Sequence, residues 1–211
     1  MTPKEIRNDK LGAKLVKNLE RRHYEAYYVS TSAEAISKVI ELIPAKSTVT
    51  WGGSMTIRDM GLTKALKAQD LNVLDRDEAK TPAEAQEIYL QAFTSDYYLS
   101  SANAISEDGV IVNIDGNGNR VAAITFGPKH VIFVIGLNKV TQDIHSAIAR
   151  ARSTASTINT ARFDINTPCR ADGVCHNCNS AESICNYFHI MRNSHPEKRH
   201  IVVLVGEDLG Y

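Results

Sequence analysis

The chain has 211 residues, of which 43% are hydrophobic and 23% are charged. This composition is typical of a globular protein and excludes a disordered or fibrous chain. Twenty-four Lys and Arg residues balance twenty-four Asp and Glu residues, and the lack of a basic excess argues against a nucleic-acid partner. No apolar stretch is long enough to span a bilayer, and the first residues lack the apolar core of a signal peptide. We therefore expect one cytoplasmic domain, residues 1–211, with no membrane span.

Helical and strand patterns alternate through the first half of the chain. Apolar residues at a rough 3.6-residue period predict a helix over about the first twenty residues. Short β-type runs predict strands at residues 27–29 and 48–51. Capping patterns predict two more helices: one begins after Thr31 and ends at Pro44, and the other has Thr81 as its N-cap.

The middle of the chain has shorter β-type runs. A strand is predicted over residues 97–99, followed by two runs at 110–114 and 121–124. The sequence Asp-Gly-Asn-Gly-Asn at 115–119 joins the last two runs. Because Gly and Asn tolerate positive φ, this segment predicts a β-hairpin.

Continuous apolar runs mark two strands that we expect to be covered on both faces, at residues 130–135 and 201–205. A helical pattern lies between them at 143–152. Alternation of this kind favours an α/β domain with a mostly parallel sheet flanked by helices, and the hairpin adds some antiparallel pairing.

A glycine-rich turn follows the strand at 48–51. Gly52 and Gly53 let backbone approach a ligand closely, and Ser54 is placed to cap the next helix. Ligands of parallel sheets bind beyond the carboxyl ends of strands, so this turn is a candidate anion site. A tight turn that needs glycine only for its backbone conformation is the alternative.

A pair of carboxylates, Glu107 and Asp108, lies between two predicted strands. Carboxylates beside small residues supply nucleophiles or general bases in many enzymes. The alternative is a solvated turn, because Glu-Asp-Gly before a β-type run is a common turn sequence.

All four cysteines lie in one short segment: Cys169, Cys175, Cys178 and Cys185. Cysteines so close together cannot staple distant loops, as the cysteines of secreted domains do. Four thiolates can instead converge on one inorganic centre. Structural zinc sites usually pair two short cysteine knuckles, and only one is present, which favours a 4Fe-4S cluster. A zinc ion remains the alternative, followed by disulfides or free thiols. We expect His176 and His189 to lie outside the ligand set.

The residues that carry a family resemblance lie mostly between positions 101 and 139. They are Asn103, Glu107, Gly109 and the runs 115–120 (Asp-Gly-Asn-Gly-Asn-Arg), 126–128 (Phe-Gly-Pro) and 136–139 (Gly-Leu-Asn-Lys). The Gly-Gly-Ser turn at 52–54 fits the same pattern. Through these motifs the chain resembles the LUD domain, the family named for lactate utilisation. It is especially similar to small stand-alone members with a cysteine cluster near the C-terminus.

This resemblance implies an α/β fold like that of ribose-5-phosphate isomerase and the CoA transferases, with a small C-terminal metal-binding segment at residues 166–192. It also implies an iron–sulfur protein in redox or electron-transfer metabolism of small organic acids, of the lactate-utilisation type. The four cysteines would hold the cluster, and a redox partner protein would exchange electrons with it. The sequence is compatible with a homo-oligomer.

The same resemblance implies a pocket for a small anionic metabolite at the strand ends. Its expected lining is Gly52, Gly53, Ser54, Asn103, Asn119 and Lys139. By fold analogy with CoA transferases, Glu107 is the candidate catalytic nucleophile. An acyl- or phosphosugar-handling enzyme with a structural zinc is the alternative function, and a redox-sensing module without turnover is a third.

Overall fold

Six parallel strands form the larger of two sheets in the computed structural model, which describes residues 1–211. In spatial order they are β1 (Glu25–Val29), β10 (His200–Val205), β7 (His130–Gly136), β4 (Tyr97–Ser100), β2 (Thr48–Trp51) and β3 (Asn72–Leu74). Every neighbouring pair in this sheet is parallel. The predicted α/β fold with a mostly parallel sheet is therefore confirmed.

Helices cover both faces of this sheet. Their bounds are α1 (Pro3–Arg21), α2 (Ser32–Leu42), α3 (Met55–Asp59), α4 (Leu62–Lys67), α5 (Pro82–Gln91), α6 (Asn119–Thr125), α7 (Ile144–Arg150), α8 (Thr157–Thr160) and α9 (Pro168–Asp172). A π-helical stretch, Ala151–Ser156, joins α7 to α8 without a break. No helix combines the length and the apolar character needed to cross a membrane.

The central strand β7 shows why the apolar runs are continuous. Successive side chains of a strand point to opposite faces. Phe133 and its alternate neighbours pack with Leu15 and Leu19 of α1, whereas Ile132 and Val134 pack on the other face with Val39 of α2. Because both faces are buried, residues 131–135 of this strand are all apolar, as the sequence predicts.

Helix starts follow the predicted capping signals. Thr31 accepts a hydrogen bond from the Glu34 backbone N–H, and the Glu34 carboxylate accepts one from the Thr31 N–H, which makes a complete capping box. Thr81 likewise accepts a bond from the Glu84 N–H at 3.2 Å. These bonds satisfy backbone donors that have no partner inside the helix.

A second sheet of four strands packs beside the first. Its order is β8 (Val140–Thr141), β5 (Ala104–Ser106), β6 (Ile111–Asp115) and β9 (Tyr187–Met191). β6 is antiparallel to both of its neighbours. Ala147 of α7 packs against Ala104 and Val112 on this sheet.

The predicted hairpin at 110–124 is wrong, because residues 121–124 belong to helix α6 and not to a strand. Asp115 explains the difference. Its Oδ1 accepts bonds from the N–H groups of Asn117 and Gly118, and its Oδ2 accepts one from the N–H of Val121 at 3.2 Å. The Gly-Asn segment therefore turns into a helix, and β6 pairs with β5 and β9. A four-residue apolar run is too short to distinguish the two periodicities.

Candidate functional site

A cavity of about 80 Å³ lies at the carboxyl ends of three neighbouring strands, β2, β4 and β7. Its lining is Gly53, Ser54, Met55, Thr56, Ser101, Ala102, Asn103, Ile114, Arg120, Lys139, Asn159 and Tyr211. Parallel sheets bind ligands at this edge because several strand-to-helix connections converge there. We call this space the anion cavity, since its lining contains two cations and no Asp or Glu side chain.

Lys139 is the central cation of the anion cavity. It ends a 3-10 turn, Leu137–Lys139, directly after β7, and its side chain is buried. Its Nζ donates to Thr56 Oγ1 at 2.7 Å and to Ser101 Oγ at 3.1 Å. Burial, reinforced by the nearby cations Arg150 and Arg120, lowers the pKa of Lys139 to about 7. The amine therefore changes its charge close to neutral pH.

Arg120, in the first turn of α6, is the second cation of the anion cavity. Its Nη1 donates to Asn113 Oδ1 at 2.6 Å, and its Nη2 donates to the Ile114 carbonyl at 2.7 Å. Its Nε lies 3.5 Å from Asp115 Oδ2. These contacts hold the guanidinium in one orientation, and an Nη1 N–H remains for a ligand.

Arg150 braces two walls of the cavity from outside. Its Nε donates to the Asn138 carbonyl at 3.2 Å, and its Nη1 donates to the Asn103 carbonyl. The Asn103 side chain accepts a bond from the Ile114 N–H at 2.8 Å, which fixes it between β5 and β6. Asn103 and Lys139 are thus both predicted lining residues that the structure brings together.

The glycine-rich turn lies at the cavity, but its members have different roles. Gly53 and Ser54 line the cavity, whereas Gly52 does not. A Cβ on Gly52 would lie 2.8 Å from Tyr98 Oη and 3.1 Å from Arg120 Cδ, so this position needs glycine for close packing. Ser54 occupies the N-cap of α3, yet its side chain makes no capping bond, so the predicted cap is wrong.

Two of the residues predicted for the site lie elsewhere. Asn119 lines a separate, open groove beside Phe126, and its neighbour Arg120 takes the position in the cavity. The Glu107 carboxylate lies 2.9 Å from Lys14 Nζ of α1. Asp108 pairs with Arg22. The structure therefore directs both carboxylates toward α1, in the manner of a surface turn, and gives the nucleophile role of Glu107 no support.

Sequence reasoning missed Arg120, Ser101 and Thr56 as cavity residues. Arg120 is the last residue of the run at 115–120, and the mistaken strand at 121–124 hid its place in the first turn of a helix. Ser101 follows β4 directly, and Thr56 lies in α3, the helix after β2. The rule that strand ends carry ligands was therefore the signal that could have found these hydroxyls.

The four cysteines line a second cavity, of about 60 Å³, which we call the thiol cavity. Cys169 is on α9, Cys175 and Cys178 are in the following loop, and Cys185 precedes β9. The opposite wall is helical and consists of Arg152, Ser156, Thr157 and Thr160. The thiols form no disulfide, and no three or more His, Cys, Asp or Glu side chains converge as a single-ion site would require.

Polar contacts surround the thiols. Arg152 Nη2 lies 3.9 Å from Cys175 Sγ, and the Cys169 thiol donates to Thr160 Oγ1 at 3.7 Å. His176 lines the cavity, but its Nε2 lies 2.7 Å from Asp172 Oδ2. His189 Nε2 lies 3.0 Å from Thr125 Oγ1, and His189 is not part of the lining.

One helical segment separates the two cavities. Ser156, Thr157 and Thr160 line the thiol cavity, whereas Asn159 lines the anion cavity and accepts a bond from Tyr211 Oη at 2.7 Å. Helix α8 therefore contributes residues to both cavities. The π-helical stretch that precedes it is a feature that occurs frequently at functional sites.

Comparison with known proteins agrees with this architecture. The chain is similar to a DUF162 family protein from Deinococcus radiodurans, with a TM-score of 0.52 and 12% identity over 94% of this chain and 97% of that one. Ribose 5 phosphate isomerase A from Neisseria gonorrhoeae gives a TM-score of 0.36 with 12% identity over 54% of each chain. eIF2B beta from Chaetomium thermophilum gives 0.40 with 14% identity, over 55% of this chain and 44% of that one. At TM-scores below 0.5 the last two likenesses are partial, and nothing about activity follows from them.

Curated protein sequences include no match to the chain. The model of the LUD domain, in contrast, matches residues 12–205, a range that includes all ten strands. The chain therefore belongs to the LUD domain family.

Proposed function

We propose that this chain is an iron–sulfur protein of redox metabolism that binds a small organic anion, of the lactate type, beside its cluster. The observation that carries the proposal is the placement of the two cavities. One is lined by two cations and no Asp or Glu side chain, the other by four thiols, and α8 contributes residues to both.

Anion binding is supported by the electrostatics of Lys139. A buried ammonium group without a charged partner is costly, and here it has only two hydroxyl partners. A carboxylate or phosphate in the cavity would pair with Lys139 and with the free N–H of Arg120. The anion would thereby raise the pKa of Lys139 toward its ordinary value.

Cluster binding is supported by the donor set. Thiolates are the ligands that iron–sulfur clusters and zinc prefer. A zinc ion, with Zn–S bonds of about 2.3 Å, needs its four sulfurs gathered tightly around one point. Four cysteine sulfurs that line one cavity are also the donor set that a 4Fe-4S cluster takes. When bound, the cluster would supply one-electron transfer.

The polypeptide around the thiols would stabilise the negative charge of a thiolate-held cluster. The Arg152 guanidinium is the cation in contact with a thiol, at Cys175. The Thr167 hydroxyl lies 3.6 Å from Cys169 Sγ and can donate a hydrogen bond to that sulfur. Hydrogen bonds and cations at the ligand sulfurs are among the factors that set the reduction potentials of such centres.

The acyl-transfer alternative lacks comparable support. It requires a carboxylate nucleophile in the cavity, and Glu107 instead pairs with Lys14. A structural zinc in the thiol cavity is the remaining part of that alternative, and metal analysis tests it directly.

Anaerobic purification followed by iron, sulfide and zinc analysis tests the cluster. We expect brown protein with about four irons and four sulfides per chain and an EPR signal that appears on reduction. Cys178→Ser should lose most of the iron, whereas His176→Ala, a change in the same cavity, should keep it. Colourless wild-type protein with one tightly bound zinc would contradict the proposal.

Calorimetry with lactate and with inorganic phosphate tests the anion cavity. Lys139→Met and Arg120→Gln should each weaken binding by about tenfold or more, because each removes a charge-assisted contact. Lys64→Met, which alters an exposed lysine on α4, is the matched control and should bind like the wild type. Equal binding by all three variants would refute an anion site here.

A further inference from the structure

The amine of Lys139 differs from a structural lysine in its partners. It forms no ion pair, and its Nζ contacts only the hydroxyls of Thr56 and Ser101. Lys139 is 2% exposed to solvent, and its side chain lines the anion cavity at the strand ends. Such a group can lose its proton without leaving a carboxylate unpaired.

A neutral buried amine is a nucleophile. Lysines that attack carbonyl compounds are activated by desolvation or by a second cation nearby, and Lys139 has both. Its pKa of about 7 gives a large unprotonated fraction at neutral pH. Arg120 supplies a guanidinium to the same cavity, and a guanidinium binds a carboxylate through charge-assisted hydrogen bonds.

We propose that Lys139 is a catalytic residue that forms a Schiff base with a small 2-oxo carboxylate whose carboxylate group is bound by Arg120. The inference rests on the proposed function, because it uses the same anion cavity. The volume of about 80 Å³ provides on the order of five to eight water-sized positions. That volume suits a short acid whose carbonyl adjoins its carboxylate, since the amine and the guanidinium line the same small space.

The step balances without an oxidant or reductant. The Lys139 nitrogen forms a bond to the carbonyl carbon, and the electron pair of the broken C=O π bond moves to the oxygen. The oxygen then takes a proton from the nitrogen, which gives a carbinolamine. Loss of water then forms the C=N bond: the carbonyl oxygen leaves with the two hydrogens that the amine gave up. Thr56 and Ser101, which accept bonds from the ammonium form, are placed to relay these protons.

Reductive trapping tests the proposal on the full-length protein. Pyruvate and sodium cyanoborohydride at mildly alkaline pH should give one covalent adduct, with the mass of pyruvic acid plus two hydrogens minus one water. Peptide mapping should place it on Lys139. Lys139→Arg should abolish it, Arg120→Gln should require about tenfold more pyruvate, and Lys64→Met should label like the wild type. Acetone, a carbonyl compound without a carboxylate, should label far less.

Mapping of the wild-type adduct decides the matter even where a variant folds poorly. Label spread over exposed lysines, or a Lys139→Arg protein that labels like the wild type, would overturn the proposal. Lactate binding that depends on Lys139 and Arg120, without any pyruvate adduct, would refute the Schiff base but would still support the proposed function. If neither binding nor an adduct is found, both fail.

Discussion

Replacing Lys139 with methionine should stabilise the protein at neutral pH and remove a pH dependence from its stability. The pKa of the folded-state amine is about 7, against 10.5 for the ordinary group. Because the folded pKa is the lower one, the unfolded chain binds more protons between these values, and stability rises with pH across that window. Methionine is similar in length and carries no charge.

The magnitude follows from about 1.4 kcal/mol per pKa unit. For these two pKa values, burying the protonatable amine costs about 4 kcal/mol at pH 7 and about 1 kcal/mol near pH 9.5. The advantage of Lys139→Met over the wild type should therefore shrink by about 3 kcal/mol between those pH values. Loss of the bonds to Thr56 and Ser101 lowers the advantage at every pH by a constant amount and leaves its slope unchanged.

Urea unfolding at several pH values, in buffer free of carboxylates and phosphate, measures this difference. Lys64→Met is the control, and its stability should run parallel to that of the wild type. A free-energy difference between Lys139→Met and the wild type that stays constant from pH 7 to 9.5 would show that Lys139 is an ordinary lysine. The electrostatic support for the anion cavity would then be lost.

Three further outcomes are expected. Burial lowers the pKa of His200 to about 4, so the protein should lose about 3 kcal/mol of stability as the pH falls from 6.5 toward 4. In thermal unfolding, His200→Gln should remove most of this pH dependence, whereas the exposed control His145→Gln should keep it. Gly127→Ala should destabilise the protein by several kcal/mol in urea unfolding, because the added Cβ would lie 2.7 Å from Phe93 Cα. Gly61→Ala is the control: it also has a positive φ but open space around it, and it should cost only about 1 kcal/mol. Removal of iron by a chelator should weaken lactate binding in calorimetry, because Asn159 belongs to the same helical turn as the wall of the thiol cavity; unchanged affinity would show that the cavities are independent.

Local signals were reliable where the relevant energy is local or where burial is complete. The capping box of Thr31 and Glu34 satisfies backbone donors within one turn, so it identifies a helix start without any tertiary information. The apolar run of β7 likewise requires cover on both faces wherever it lies.

The strand predicted at 121–124 shows the limit of such signals. Val121, Ala123 and Ile124 are buried in both interpretations, and β6 needs partners in either case. The bonds from the Asp115 carboxylate to three backbone N–H groups decide for the helix. A side chain that accepts hydrogen bonds from backbone N–H groups two to six residues away competes with strand pairing. The periodicity of apolar residues carries no information about such bonds.

The amino-acid sequence by itself determined the parallel α/β layering, the helix starts and the grouping of the four cysteines in one short segment. Each of these depends on hydrophobic burial or on residues that are close in the sequence. Only the tertiary structure decided what shares a cavity. In the folded protein Glu107 pairs with Lys14, and Arg120 lines the same cavity as Lys139. The thiol cavity and the anion cavity are both lined by residues of α8. These pairings join strand ends and helices that are distant in sequence, and they depend on how the two sheets and α8 pack.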